Sequence, residues 1–372
     1  MEALILSCGT GGGHNSAAKA IVEELQRRGH KARMLNPYTL FSRELAQKID
    51  STYISMVQKK PRLFGAVYRA GQLYRKLPVR SPVYYVNRGM VPIMNNYLHK
   101  HHFDVVITTH LYPAEILTNL RDRGLLIPKT VFVSTDYVCI PFTEETECDA
   151  YVIPAQDLAA DYVQRGIPAE KLHPFGIPTA LAFARAETKA QARARLHLDS
   201  DKRYVLVAGG SMGGGTIRKT VRALQKALAA SPDTVLLIVC GNNRTLYEEL
   251  VPQQGKNLLV VGHTGDMAGY MRAADLFVTK PGGLSSTEAA VCGVPLLHAA
   301  GIPGCETFNA RYFAAHGMSA VCKNPADTAA HVKDLLAHPE TGAEMVRRQR
   351  EQFDGAAAAR ICDFAQNLAA QG

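Results

Sequence analysis

Two stretches in the first half of the chain combine residue types that handle protons. Gly9-Thr-Gly-Gly-Gly-His14 follows the apolar run Ala3–Cys8 and precedes Ala17, Ala18, Ile21, Val22 and Leu25 at helical spacing. Gly11, Gly12 and Gly13 leave backbone N–H groups uncovered, and His14 stands at the start of the helix. An imidazole there, with a pKa near neutrality, can take a proton from an attacking hydroxyl. A single histidine in that place serves equally as a helix cap or a packing residue. Ser134-Thr-Asp136 ends another apolar run, so Asp136 can orient His14, bind acceptor hydroxyls, or cap the next turn.

Two stretches in the second half suit a phosphate. Gly209-Gly210-Ser211-Met-Gly-Gly-Gly215 lies between a strand pattern and a helix pattern. Thr279-Lys-Pro-Gly-Gly-Leu-Ser-Ser-Thr-Glu288 repeats that arrangement, with Gly282, Gly283, Leu284 and Ser285 at the start of the helix. Bare N–H groups at a helix N-terminus attract anions, and two such turns in one domain can grip a diphosphate. Taken singly, each also fits an ordinary tight turn. Glu288 lies about one turn further on, where a carboxylate can accept both hydroxyls of a ribose or simply complement the helix dipole. The turn at Gly209 lacks the G-K-[ST] ending of a triphosphate-binding loop. The turn at Gly9 lacks the downstream acid that would hold an adenosine ribose, which argues against kinase and dehydrogenase chemistry.

These turns need a scaffold. Apolar runs at residues 3–8, 105–109, 130–134 and 151–154, then at 204–208, 234–240, 258–261, 276–279 and 295–298, alternate with helical periodicity. Such runs predict strands buried on both faces, hence two parallel α/β sheets in series. A length of 372 residues suits two domains. The break is expected near residues 177–186. The first residues lack a basic start followed by a long apolar run, no span suits a membrane helix, and the eight cysteines form no C-x-x-C pair. The expectation is a cytoplasmic protein with reduced thiols and no metal site.

The net charge of +9 is local. Between residues 51 and 103 there is no acid, while Lys59, Lys60, Arg62, Arg69, Arg75, Lys76, Arg80, Arg88 and Lys100 account for the whole excess. Leu63, Val67, Ala70, Leu73 and Leu77 recur among them at helical spacing, which predicts a helix on an anionic membrane surface. Nucleic acid is the competing partner and is set aside, because the bases are confined to one insert and no nucleic-acid module is present.

Gly11-Gly-Gly-His14, Ser134-Thr-Asp136-Tyr137, Gly176-Ile-Pro178, Gly209-Gly-Ser211 and Lys280-Pro-Gly-Gly283 with Thr287-Glu288-Ala289 together resemble glycosyltransferase family 28. Within it they resemble the branch of processive diacylglycerol glucosyltransferases and monogalactosyldiacylglycerol synthases. The resemblance implies a GT-B fold of two Rossmann-like domains facing a cleft. Residues 1–178 would bind the acceptor and associate with the membrane, residues 179–352 would bind a UDP-sugar, and the helix in 353–372 would pack back on the first domain. It implies His14 as general base, with Gly209, Gly210, Ser211, Gly282 and Gly283 on the diphosphate and Glu288 on the ribose. Gly262-His263-Thr264 would frame the uracil, while Glu306 and Asn309 read donor-sugar hydroxyls. The implied reaction inverts the anomeric centre and needs no metal or other cofactor. It moves a hexose from a UDP-sugar to a membrane lipid, diacylglycerol, at the inner face of the cell membrane. Cys305 replaces the family's usual glutamine, and Val138-Cys-Ile-Pro141 replaces its histidine after Tyr137. These departures leave open an N-acetylglucosamine transferase acting on a lipid-linked cell-wall precursor, a UDP-sugar epimerase, or a non-catalytic nucleotide-sugar sensor. The oligomeric state is not legible.

Overall fold

The computed structural model describes residues 1–59, 61–75, 77, 79–209 and 217–371, with the backbone only at 57–59, 61 and 62. Lys60, Lys76, Gly210 and Ser211 therefore lie outside the described residues. Met1–Leu181, Pro303–Cys305 and Ala356–Gly372 form one compact unit, and Ala182–Ile302 with Glu306–Gly355 form a second.

The first unit runs β1 (Glu2–Leu6), α1 (Gly12–Arg27), β2 (Lys31–Leu35), α2 (Arg43–Lys59), α3 (Pro61–Tyr74), α4 (Pro82–Asn87) and α5 (Val91–Lys100). It continues through β3 (Val105–Thr108), α6 (Leu111–Arg121), β4 (Lys129–Val133), β5 (Ala150–Val152), α7 (Ala159–Gln164) and β6 (Leu172–His173). After α8 (Leu181–Ala184), the second unit contains α9 (Lys189–Arg195), β7 (Arg203–Ala208), α10 (Ile217–Leu228), β8 (Thr234–Val239), α11 (Arg244–Leu250) and β9 (Leu258–Val261). Then come α12 (Met267–Ala273), β10 (Leu276–Thr279), α13 (Gly283–Cys292), β11 (Leu296–His298), α14 (Cys305–Ala315), β12 (Ala320–Val321), α15 (Pro325–Ala337) and α16 (Pro339–Gln352). The last helix, α17 (Ala357–Ala369), returns to the first unit and packs on α1, where Arg28 pairs with Asp363.

Both sheets are parallel and six-stranded, ordered β2-β1-β3-β4-β5-β6 and β12-β11-β10-β7-β8-β9. The chain starts each sheet inside its edges, next to one edge at β1 in the first and in the middle at β7 in the second, and adds strands on both sides. The order therefore reverses between β1 and β3 in the first, and between β7 and β10 in the second. At such a switch point the loops leaving the carboxyl ends diverge and open a crevice. The apolar runs fold as strands because helices cover both faces. Ala3 and Ile5 pack with Ile21 of α1 and Ile361 of α17, while Leu4 and Leu6 pack with Met94 of α5 and Leu117 of α6. In the second sheet Val205, Ile238 and Val278 meet Leu224 of α10 and Val332 of α15.

Three strands escape the sequence pattern. β2 is half-exposed, and β6 and β12 have two residues each. None offers a continuous apolar run, so residues 151–154 do not hold the last strand of the first sheet. Edge strands are buried on fewer sides and carry a weaker signal.

Candidate active site

At the first switch point, the turn after β1 passes so close to α2 that a Cβ on Gly9 would fall 2.2 Å from Asp50 Oδ2. His14 occupies the first turn of α1. Its Nδ1 lies 2.8 Å from the Thr109 carbonyl, just past β3, and 2.9 Å from Thr135 Oγ1, just past β4. A carbonyl only accepts, so Nδ1 carries the hydrogen and Nε2 keeps its lone pair. Thr109 Oγ1 donates to the His14 carbonyl at 3.0 Å, which ties the helix start to the strand end from both sides. Burial lowers the basicity of His14, and the nearby charge of Asp136 together with the Thr109 carbonyl works against that. His14 and Asp136 are thus brought together, with imidazolium formation favoured by the carboxylate.

Ser134 faces away, because its hydroxyl accepts from the buried Tyr162 at 2.9 Å. Thr135 and His110 are the members of this cluster that sequence reasoning passed over. Both stand at strand ends on the same sheet edge, and that position was the available signal.

In the second unit α13 starts at Gly283 with Gly282 as a cap that has no side-chain hydrogen bond. The first N–H groups of the helix are therefore left open for an anion. Of the hydroxyls in this turn only Ser285 remains partly exposed. Ser286 is fully buried against His298 Nε2 at 2.9 Å, and Thr287 donates to the Gly283 carbonyl at 2.8 Å. Leu284 is buried and offers its backbone alone. Lys280 reaches Glu306 at 2.5 Å, and Glu306 also accepts the Ile302 N–H at 2.8 Å. Gly209 follows β7 and lines the same small pocket as Thr279, Lys280 and Glu306.

Glu288 has no hydrogen-bond partner among the described residues, and burial pushes its carboxyl up to about 8. Gly262, His263 and Thr264 follow β9 at the same sheet edge, with His263 exposed. Asn309 is fully buried and donates to the Pro281 carbonyl at 3.1 Å, which braces the turn.

Pro303–Cys305 pack on α3 within the first unit. A Cβ on Gly65 would meet Pro303 Cβ at 2.8 Å, and Gly304, at φ 128, brings its backbone to Phe64 and Tyr68. The Tyr68 hydroxyl meets Cys305 near the charge of Asp136. The far face of α3 carries Leu63 and Val67, about half exposed, and Leu73 at 67% exposure. Arg69 is exposed among them. Arg75 does not join that face. Its side chain is 6% exposed and ion-paired with Glu144. Lys59 and Arg62 lie in α2 and α3. No helix of the described residues is long and apolar enough to cross a membrane.

A cavity of about 600 Å³ lies at the opposite end of the second sheet, lined by Arg203, Asp275, Pro295, Val346 and Arg350. Most of its cations are committed, Arg203 to the Leu336 carbonyl and Lys189 to Asp275.

Residues 14–179 match the family described as Monogalactosyldiacylglycerol (MGDG) synthase, and residues 189–352 match Glycosyl transferases group 1. A processive diacylglycerol beta-glucosyltransferase of Bacillus licheniformis is 28% identical over 92% of this chain and 88% of its own length. The structure of MurG from Acinetobacter baumannii superposes with a TM-score of 0.64 at 17% identity, covering 98% of this chain and 99% of that one. UDP-GlcNAc 2-epimerase from Neisseria meningitidis bound to UDP-GlcNAc gives a TM-score of 0.65 at 12% identity, covering 99% of this chain and 100% of that one. Two parallel Rossmann-like sheets, an imidazole at one switch point and an open helix start at the other agree with these likenesses: the chain is a glycosyltransferase of the GT-B type, with an MGDG synthase domain followed by a group 1 glycosyl transferase domain.

Proposed function

We propose that the protein transfers a hexose from a UDP-sugar to the hydroxyl of diacylglycerol, with inversion at the anomeric carbon. One observation carries the reading: within an MGDG synthase domain, His14 has its Nδ1 hydrogen anchored on a carbonyl, and its Nε2 has no partner among the described residues. His14 Nε2 takes the acceptor proton as the hydroxyl oxygen attacks the anomeric carbon, and the carbon–oxygen bond to UDP breaks with its electron pair on the phosphate. Asp136 stabilises the imidazolium until it passes its proton to water. The open N-terminus of α13 and Lys280 stabilise the departing diphosphate, so the step is written without a metal ion. Glu288 takes the ribose hydroxyls, Gly262–Thr264 frame the base, and Glu306 reads the sugar.

A lipid acceptor is consistent with peripheral association at a membrane surface, and the cytoplasmic face belongs to this proposal. The bare apolar face of α3, with the exposed Arg69 on it, suits an anionic bilayer. Arg69→Glu should weaken binding to anionic vesicles, and vesicle binding insensitive to that change and to salt would remove the dock.

The test of the reaction is mass spectrometry of products from UDP-glucose, UDP-galactose and UDP-N-acetylglucosamine, each with and without diacylglycerol. A glycosyl-diacylglycerol that disappears in His14→Ala supports the reading. A nucleotide-sugar epimer as sole product, or undiminished transfer by His14→Ala, sinks it.

A further inference from the structure

β1 and β3 end side by side, and each delivers a histidine to the same crevice. The mechanism above uses only His14. His110 is 6% exposed, and both of its ring nitrogens are committed. Nδ1 accepts the N–H of Tyr112 at 3.1 Å, so the ring hydrogen sits on Nε2, which donates to Thr10 Oγ1 at 2.8 Å. The ring stands edge to face with that of His14, at 4.6 Å between centroids and 74° between planes. Burial, reinforced by His14 opposite, holds His110 well below the usual imidazole range. A neutral ring with both nitrogens engaged exchanges no proton with an acceptor. It can, however, hold two things still: Thr10, in the turn that carries His14, and the flank of the His14 ring.

We infer that His110 is the positioning residue for His14, clamping the glycine turn through Thr10 and flanking the imidazole so that Nε2 keeps one direction toward the acceptor hydroxyl. The inference rests on the reading of His14 as the base. The Thr109 carbonyl fixes His14 at a single atom, about which the ring could still swing, and proton transfer is sensitive to such misalignment. The titratable groups that face the pair are few. Asp136 faces His14 from beyond β4, Tyr112 faces His110 from α6, and Asp50 lies under Gly9. Burial lowers the proton affinity of His14, and Asp136 with the Thr109 carbonyl works against it.

The experiment measures steady-state transfer from the UDP-sugar to diacylglycerol in mixed micelles by the full chain, with UDP binding followed by calorimetry. His110→Phe keeps the bulk but cannot donate to Thr10. It should lower kcat roughly 10- to 100-fold while moving the donor KM less than about twofold. Thr10→Val should fall likewise, and the double variant should be no worse than either single one, because both break one contact. His110→Gln can donate to Thr10 through its amide and should recover most of the rate. In His110→Ala, water enters beside His14 and relieves its burial, so the acid limb of the kcat/KM profile should move to higher pH. Full kcat in His110→Phe and Thr10→Val with an unmoved acid limb overturns the inference. So does a loss that merely tracks a falling fraction of UDP-binding protein. His14→Ala is run alongside. If it remains inactive while the His110 variants are silent, only this inference fails, whereas transfer surviving in His14→Ala removes the base itself.

Discussion

Each unit places a glycine-rich turn at the switch point of its sheet, yet the two turns are finished in opposite ways. The one after β1 is packed with side chains that already have partners. His14 is held by Thr109 and Thr135, and His110 by Thr10 and Tyr112. The one after β10 is left bare. Gly282 caps the helix without a side-chain acceptor, Glu288 has no hydrogen-bond partner among the described residues, and Ser286 and Thr287 turn their hydroxyls inward. The same strand–turn–helix unit thus serves two chemistries. A base must keep one direction, so its surroundings are saturated. An anion site must keep donors free, so its surroundings are stripped.

The comparison can be broken most sharply at His14. His14→Ala should cut transfer about 10²- to 10⁴-fold while leaving UDP affinity intact, since general-base catalysis is lost and the second unit is untouched. Loss of UDP binding in a rate-and-calorimetry pair of measurements would show that the two turns do not divide the work.

Lys280→Ala probes the bare turn. It removes the cation beside α13 and leaves Glu306 without its ion pair. UDP should bind about 10- to 100-fold more weakly, a cost of roughly 1.4–2.7 kcal/mol. Unchanged affinity by calorimetry would relocate the diphosphate.

Glu288 provides a pH test. Its folded carboxyl is raised to about 8, so at neutral pH the free protein holds it largely protonated, while the ionised form accepts two ribose hydroxyls more strongly. Binding therefore releases a proton below that pH. UDP affinity should climb by up to about tenfold per pH unit toward 8 and level off above it, and Glu288→Gln should flatten the climb. Equal slopes in the two proteins would detach Glu288 from the ribose.

The smallest effect lies outside both turns. Arg69→Glu should weaken anionic-vesicle binding only several-fold, because each basic residue at a membrane surface contributes about 1 kcal/mol. Arg75→Glu should instead lower the melting temperature, since it would set two carboxylates together in a buried site.

Much of this was legible from local pattern. The continuous apolar runs announced strands covered on both faces, and glycines between a strand and a helix announced the uncapped helix start at Gly282. The helical spacing of Leu63, Val67 and Leu73 announced the exposed face of α3, because a period of 3.6 is a property of neighbours in sequence. Arg75 was counted with that face because charge alone does not reveal a partner. Glu144 lies 69 residues away.

Sequence by itself determined that two parallel α/β sheets follow one another and where glycines leave a backbone uncovered at a helix start. These depend on periodicity and on the absence of side chains, which are local properties. Only the tertiary structure decided which residues surround His14. Thr109 and Thr135 are 95 and 121 residues away along the chain, and Thr10 and His110 are 100 apart. Parallel strands joined by helical crossovers bring their carboxyl ends to one edge whatever the length between them. Which side chains meet at that edge is therefore set by strand order, which no local pattern of residues records.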